Sequence, residues 1–171
     1  MLDAHYDSPL QFVEKGWSLL DVGCATANLY KFAKARDIQY VGIDITQRLL
    51  DAGNERNPDA ELHLGSILDI PYPNQSFDVS YAKSVLEHVH PDEAEKAVSE
   101  LVRVARHMVI LVFHRAPKKT IKTTNTQIVK KYYENTFAYH ELLGYVEKTG
   151  RFKDLNSYSK KRRQFWVIYL K

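Results

Sequence analysis

The stretch from Ser18 to Tyr30, SLLDVGCATANLY, constrains the fold more than any other part of the chain. It opens on an apolar run that is interrupted by one acid, Asp21, and continues through small residues from Gly23 to Ala27. A buried strand, a turn of small residues and the start of a helix are the parts of a nucleotide-binding βα unit. In such a unit the small side chains let a ligand approach the backbone, and the helix start offers N–H groups without partners.

The turn departs from two common phosphate-binding patterns. A dinucleotide site requires G-x-G-x-x-G, whereas Gly23 is followed by Ala25 and Ala27, and the Gly-Lys-Ser/Thr ending of a P-loop is absent. The sequence therefore argues against a nicotinamide-dependent oxidoreductase and against a P-loop protein. It leaves open an ordinary strand–turn–helix without a ligand.

Apolar segments alternate with helical patterns along the rest of the chain. Besides the first strand, we expect strands at 39–44, 61–64, 76–81, 107–113, 151–155 and 164–170, with a turn at 156–163 between the last two. We expect helices at 28–35, 47–57 and 137–148, and one that begins at Pro91. This alternation predicts an α/β fold with a Rossmann-like, doubly wound, seven-stranded sheet, mostly parallel with an antiparallel last strand. We expect one domain, 1–171, in which 1–17 is a short lead-in and no separate cap domain exists.

Cysteine content and charge narrow the functional classes. The single cysteine, Cys24, cannot form an internal disulfide, which favours a reducing, cytoplasmic setting, and no apolar run approaches the ~18 residues needed to cross a membrane. Residues 1–114 carry 10 basic and 17 acidic side chains, whereas residues 115–171 carry 14 and 4. The basic segments 115–131 and 160–163 predict either an anionic partner, such as an anionic small molecule or a nucleic acid, or a solvated surface.

Two segments resemble a known family. Asp21 and Gly23 resemble the start of D-x-G-x-G-x-G, motif I of the class I S-adenosylmethionine (SAM) methyltransferases, with Ala25 and Ala27 in place of the later glycines. Residues 65–89, GSILDIPYPNQSFDVSYAKSVLEHV, resemble the segment GDxxxLPFPDxSFDxVxxxxVLEHV of its general and small-molecule members. The resemblance covers nearly the whole chain and implies methyl transfer from SAM. Because a left-handed alanine costs ~1–2 kcal/mol, we expect Ala25 and Ala27 to keep negative φ.

The resemblance also implies which residues hold the cofactor. Asp44 matches the acid that accepts hydrogen bonds from both ribose hydroxyls, with Ile45 beside the adenine; the alternative is an aspartate that caps the next helix. Ser66 stands where the family has an acid that meets the adenine amine, and Ile67 would supply a backbone N–H. The other expected cofactor residues are Asp21, Gly23, Cys24, Ala25, Lys83 and Tyr6.

No catalytic constellation is evident, and none is needed, because SAM brings an activated methyl group. His88 and His114 are candidate bases, each with the alternative of a histidine without a catalytic part. No metal site is predicted. We expect a small-molecule acceptor; the alternatives are a nucleic acid or a protein as acceptor, or a protein that binds SAM or a partner without transferring methyl. Because the first strand begins at residue 18, we expect a site that is open, closed by a partner subunit, or truncated.

Overall fold

The computed structural model describes residues 9–113, 124–125, 132–133, 139–160 and 163–171. Its strands are β1 (Ser18–Val22), β2 (Gln39–Asp44), β3 (Glu61–Leu64), β4 (Phe77–Lys83), β5 (Ala105–Phe113), β6 (Thr124–Asn125), β7 (Tyr132–Tyr133), β8 (Phe152–Lys160) and β9 (Arg163–Leu170). Seven of them form one sheet in the order β3-β2-β1-β4-β5-β9-β8, and β6 pairs with β7 separately. The predicted seven-stranded sheet is therefore confirmed.

The sheet reverses its strand order at β1. Strands β1 to β5 pair in parallel, whereas β9 runs antiparallel to both β5 and β8. The mostly parallel sheet with an antiparallel last strand is thus confirmed. β1 lies between β2 and β4. The connection that follows β1 leads to β2, toward one edge of the sheet, whereas the connection that follows β4 leads to β5, toward the other edge. Such a switch point is where open α/β sheets bind their ligands.

Helices cover both faces of this sheet. They are α1 (Tyr30–Ala35), α2 (Gln47–Arg56), α3 (Ala94–Val104) and α4 (Tyr139–Lys148). On one face Phe32 and Ala33 of α1 pack in a cluster with Leu19 and Tyr40, and on the other face α3 packs with Leu20 and other strand residues. Within the described part of the chain, no helix has the length and apolar character needed to span a membrane.

Several element ends differ from those that the apolar pattern predicts. Helix α1 begins at Tyr30 instead of residue 28, and β4 continues to Lys83 instead of ending at residue 81. The helix expected from Pro91 starts as a 3₁₀ turn, Pro91–Glu93, and α3 proper begins at Ala94. These ends are set by tertiary contacts, such as the hydrogen bond from Ser84 N–H to the Val112 carbonyl that extends the pairing of β4.

The largest difference is the C-terminal hairpin. The expected turn at 156–163 is wrong, because β8 runs to Lys160 and pairs along its length with β9. The polar sequence of β8, FKDLNSYSK, lacks the apolar alternation of a half-buried strand. β8 is an edge strand, which pairs with β9 along one side and has no neighbouring strand of the described sheet along the other. The ladder of hydrogen bonds to β9 therefore holds β8 in place without an apolar alternation in its sequence.

One arginine fixes the loop between β3 and β4. The Arg103 guanidinium on α3 donates to the carbonyls of Ile70 and Tyr72, at 2.9 and 2.8 Å, and to the Glu100 carboxylate. Glu100 in turn accepts a hydrogen bond from Ile70 N–H at 2.8 Å. Charge-assisted bonds of this kind are the stronger ones in proteins. They anchor the loop to α3 just beyond residues 65–68, which line the cavity described below.

Candidate functional site

A cavity of about 730 Å³ lies at the carboxyl end of the parallel strands. Its volume falls within the range of about 300–1,000 Å³ that is typical of small-molecule sites. The wall beside β2 and β3 is largely apolar and includes Ile45, Leu49, Ile67 and Leu68. The wall that follows β4 carries polar side chains, namely Ser84, His88, His90 and Glu93. The cavity is therefore suited to a molecule with an apolar part and a polar part.

Gly23 forms the point of closest approach between the turn after β1 and the segment after β4. Its φ is +74°, and a Cβ added at this position would collide with Cγ2 of Val85. The N–H groups of Gly23 and Cys24 both donate to the Ile43 carbonyl, at 2.8 and 3.0 Å. Only glycine satisfies both the backbone conformation and the contact, so the turn is fixed against β2 and β4 alike.

Two alanines in this turn adopt the left-handed conformation. Ala25 has φ of +49° and Ala27 has φ of +55°, so the expectation of negative φ at both positions is wrong. Ala25 N–H donates to Asp44 Oδ2 at 2.9 Å, and Ala27 N–H donates to the Cys24 carbonyl at 2.9 Å. These contacts hold the backbone in the path that glycines would follow without strain. Both alanines therefore adopt a backbone conformation that favours glycine, at a cost in stability.

We expect Ala25→Gly and Ala27→Gly each to raise the free energy of unfolding by about 0.5–1 kcal/mol. Removing the strain of a left-handed alanine stabilises the folded chain by about 1–2 kcal/mol. The greater conformational freedom of glycine in the unfolded chain lowers the stability by about 0.4–1 kcal/mol. Urea unfolding of the variants measures the difference. The control is Ala52→Gly inside α2, which should destabilise by about 1 kcal/mol. If the two turn variants destabilise as this control does, the turn does not store the strain.

Asp44 ends β2 and places a carboxylate on the cavity wall. Oδ2 accepts a hydrogen bond from Ala25 N–H and Oδ1 accepts one from Thr46 N–H, each at 2.9 Å. Since a carboxylate has about four acceptor positions, each oxygen retains one for a ligand. The side chain is thus fixed in orientation while it can still accept two hydrogen bonds from neighbouring hydroxyls. It also links β2 to the turn after β1.

The aliphatic side chain that follows Asp44 is unusually exposed. Ile45 is 73% exposed, although it is a large aliphatic side chain and lines the cavity. Ile67 is buried, and the Ser66 hydroxyl oxygen accepts a hydrogen bond from Leu68 N–H at 3.1 Å. The Ser66 hydroxyl proton is then available to a ligand, because a hydroxyl both donates and accepts. An exposed aliphatic face next to a hydroxyl suits a flat heterocycle with polar edges.

The structure brings together only part of the predicted site. Among the expected cofactor residues, the cavity is lined by Gly23, Asp44, Ile45, Ser66 and Ile67, and the candidate base His88 lies on its polar wall. Asp21, Cys24, Ala25 and Lys83 are absent from the lining. Tyr6, His114 and the basic segment 115–131, apart from residues 124–125, lie outside the described residues, as do residues 161 and 162 of the second basic segment.

Asp21 and Cys24 are buried behind the cavity wall. Asp21 is 4% exposed, and its Oδ2 accepts a hydrogen bond from the Tyr40 hydroxyl at 2.8 Å. Burial raises the pKa of Asp21 to about 7, against the opposing effects of the Tyr40 hydrogen bond and the Lys83 charge. Burial also raises the pKa of the Cys24 thiol, which lies against Gly42. Neither side chain is in the lining of the cavity.

Ser84 lines the cavity and was missed by sequence reasoning. It directly follows β4, whose end the apolar pattern placed two residues too early. A polar residue at the carboxyl end of a central parallel strand would have been the available signal. The corrected end of β4 makes Ser84 the first residue beyond the sheet at the switch point.

Comparison with known proteins gives a consistent result. The family described as Methyltransferase domain matches residues 20–113, from β1 to the end of β5. A curated relative, 27-O-demethylrifamycin SV methyltransferase of Amycolatopsis mediterranei (strain S699), is 31% identical over 98 residues, covering 53% of this chain and 35% of the relative. The chain spans about a third of the length of the curated relatives it matches.

Solved structures share the fold over almost all of the chain. The PH0226 protein from Pyrococcus horikoshii OT3 superposes with a TM-score of 0.78 at 14% identity, covering 98% of this chain and 88% of that one. Magnesium protoporphyrin IX methyltransferase from Synechocystis PCC 6803, crystallised with bound SAM, gives 0.73 at 16% identity, covering 97% and 78%. At these identities the likeness concerns the fold alone.

Proposed function

Because this chain belongs to the class I family of SAM-dependent methyltransferases, we propose that it transfers the methyl group of SAM to a small-molecule acceptor in the cavity at the carboxyl end of its sheet. The observation that carries the proposal is the geometry of Asp44. Its two oxygens are held by backbone N–H groups, 2.9 Å from Ala25 N and from Thr46 N, on the wall of a cavity of about 730 Å³.

The chemistry of the cavity fits SAM. The remaining acceptor positions of Asp44 suit the two ribose hydroxyls, and the aliphatic wall with Ile45 and Ile67 suits the adenine ring. Gly23 lines the cavity, and its lack of a Cβ lets the Val85 side chain pack directly against the turn. Asp21, Cys24, Ala25 and Lys83 do not line the cavity, and a part for them in holding SAM stays a prediction, as it does for Tyr6, which lies outside the described residues.

When bound, SAM supplies a methyl group on a sulfonium, which is already activated for transfer. The chain must then hold the acceptor in line with the methyl group and keep water out. Orientation of two reactants can contribute about 7–11 kcal/mol to lowering the barrier. His88, on the polar wall, is the group we propose to accept a proton from an acceptor that must lose one. His114 stays a second candidate, outside the described residues.

A small-molecule acceptor is supported by the relatives. Their names include a methyltransferase for 27-O-demethylrifamycin SV, one for ajmaline and one for demethylmenaquinone. The basic segments 115–131 and 160–163 favour an acceptor with an acidic group. A nucleic acid or protein acceptor, and closure of the site by a partner subunit, are the alternatives that the same basic segments leave open.

A role in binding SAM without methyl transfer is the second candidate. It is favoured by Ala25 and Ala27, which stand where motif I of the family has glycines. It is also favoured by Ser66, whose hydroxyl is a weaker acceptor than a carboxylate. Tight binding of SAM together with no transfer to any acceptor would support this role.

Calorimetry with SAM and with its demethylated product, S-adenosylhomocysteine (SAH), tests the proposal. We expect both to bind, and we expect transfer of labelled methyl from SAM to at least one member of a panel of small hydroxyl-, carboxyl- and amine-bearing acceptors. Dissociation constants above about 1 mM for both molecules, equivalent to less than about 4 kcal/mol of binding free energy, would contradict the proposal.

Ser66→Asp is expected to raise the affinity for SAH about fivefold. A carboxylate can accept the bond from Leu68 N–H as the Ser66 hydroxyl does, at 3.1 Å, and it offers a charged acceptor to the adenine amine. Hydrogen bonds to charged groups contribute about 1 kcal/mol more than neutral ones. Ser66→Asn is the matched control, since it has the same size without the charge. Equal affinities of the two variants would show that no amine lies at this position.

A further inference from the structure

The two edge strands of the sheet differ in how they are protected. Proteins keep edge strands short or charged, because the unpaired N–H and C=O groups of an edge can pair with a strand of another chain. β3 has only four residues, and both Glu61 and His63 are exposed on it. β8 has nine residues, and its middle part, 155–159, contains no charged residue and no proline. Since no strand of the described sheet pairs with its outer side, β8 leaves an edge open to a further strand.

The register of the hairpin identifies the residues of β8 that face this open edge. Lys160 pairs with Arg163, and only two residues separate them in the chain, so this closing pair exchanges its hydrogen bonds within the hairpin. Even-numbered residues from 154 to 160 therefore direct their N–H and C=O groups toward β9, and odd-numbered residues direct theirs outward. The N–H of Leu155 agrees with this assignment, because it donates to the Asp154 side chain at 2.8 Å.

We propose that β8 is a self-association edge, at which two copies of this chain pair β8 with β8 in antiparallel orientation about a twofold axis at Ser157. Ser157 is exposed and faces the open edge. With the axis there, the Asp154 position lies opposite the Lys160 position of the second copy, and the same pair recurs on the other side of the axis. No other twofold register of β8 places opposite charges across from each other. Opposite charges stabilise an antiparallel pair of strands, whereas like charges destabilise it.

The surroundings of the edge fit such a pair. Tyr158 is half-buried, with its ring 4.9 Å from that of Phe165 and 5.9 Å from that of Phe12, and it would lie opposite Asn156 of the second copy. The basic segments 160–163 of the two copies would lie about 20 Å apart, at about 3.4 Å per residue. At this distance salt screens their repulsion. β5 and β9 separate β8 from β4, so the pairing leaves the cavity of each copy open and does not depend on the proposed function.

Charge exchange tests both the association and its register. Sedimentation velocity at a series of concentrations should give wild type a dimer dissociation constant below about 100 μM. We expect Asp154→Lys and Lys160→Asp each to weaken the dimer at least tenfold, because each variant places like charges opposite each other twice. An equimolar mixture of the two variants should form a heterodimer about as tightly as wild type, since each chain then supplies the charge that the other needs. An effect confined to one chain could not be reversed by mixing.

Two proline variants form the matched control. Ser157→Pro removes an N–H group that faces outward, so we expect a monomer that melts close to the temperature of wild type. Asn156→Pro removes an N–H group that faces β9, so it should melt at a lower temperature. Wild type that stays monomeric at about 100 μM, or a mixture of the two charge variants that stays monomeric, would overturn the proposal. So would a Ser157→Pro variant that dimerises as wild type does.

Discussion

Replacement of Asp44 by alanine is expected to lower the affinity for SAH at least tenfold while the chain remains folded. The variant removes two acceptor positions that face the cavity from a carboxylate that is already oriented by Ala25 N–H and Thr46 N–H, each at 2.9 Å. A hydrogen bond to a charged group contributes about 1.5–3 kcal/mol, and about 1.4 kcal/mol corresponds to a factor of ten. Loss of either ribose contact would therefore reach this threshold.

Part of that loss could come from the turn after β1, because Asp44 also holds the N–H of Ala25. A ligand change separates the two effects. Wild type should bind SAH more tightly than its 2′-deoxyribose analogue, and Asp44→Ala should bind the two equally, since the acceptor of the missing hydroxyl is gone. A cycle of this kind isolates the contact from general damage to the turn.

Asp51→Ala is the control for charge. Asp51 lies on α2, where it accepts a hydrogen bond from the Gln47 side chain on the exposed surface, and it is not part of the cavity wall. This variant should bind SAH as wild type does. Unchanged affinity in Asp44→Ala would mean that the ribose lies elsewhere and that Asp44 serves only to join β2 to the turn.

The first three strands could be predicted because clear sequence signals mark where they end. Ser18–Val22, Gln39–Asp44 and Glu61–Leu64 each end on an acid or directly before a glycine, and their observed bounds agree with the prediction. Their parallel arrangement follows from the helices between them. A parallel strand must start again at the amino end of its neighbour, and only a long connection such as a helix brings the chain back to that end of the sheet. The edge strand β8 gives no such signal, since the ladder to β9 defines it.

The conformation of the turn after β1 could not be predicted from its own residues. Local preference argues for negative φ at Ala25 and Ala27, and the structure has +49° and +55°. The deciding contacts come from distant parts of the chain: Asp44 binds Ala25 N–H, and the side chain of Arg56 on α2 donates to Thr26 Oγ1 at 3.2 Å. The same holds for Asp21, whose burial depends on Tyr40 of the neighbouring strand.

Asp21→Asn is expected to become more stable relative to wild type as the pH rises. Burial raises the pKa of Asp21 to about 7 in the folded chain, whereas an unfolded aspartate titrates near pH 4. Between these values the folded chain holds a proton that the unfolded chain has released, so raising the pH through this window destabilises wild type. Asparagine does not titrate, and its oxygen can still accept the bond from the Tyr40 hydroxyl, which is 2.8 Å from Asp21 Oδ2.

The size of the effect follows from the pH range between the pKa of Asp21 in the unfolded chain and its pKa in the folded chain. Each pH unit in which only the folded chain is protonated changes the difference in unfolding free energy between the variant and wild type by about 1.4 kcal/mol. From pH 5 to pH 8 the advantage of Asp21→Asn over wild type should therefore grow by about 3 kcal/mol, most of it below pH 7. Urea unfolding at unit intervals of pH measures this growth, provided that ionic strength is held constant.

Glu100→Gln provides the control, with the corresponding change from acid to amide on α3. Hydrogen bonds from the Arg103 guanidinium and from Ile70 N–H hold the pKa of Glu100 below its usual range. Glu100 is then ionised in both states over most of the range from pH 5 to pH 8, so the difference between this variant and wild type should stay nearly constant there. If Asp21→Asn gives an equally flat difference, Asp21 is ionised in the folded chain. Its charge must then be balanced by the nearby Lys83, and the turn after β1 rests on a buried ion pair instead of a protonated acid.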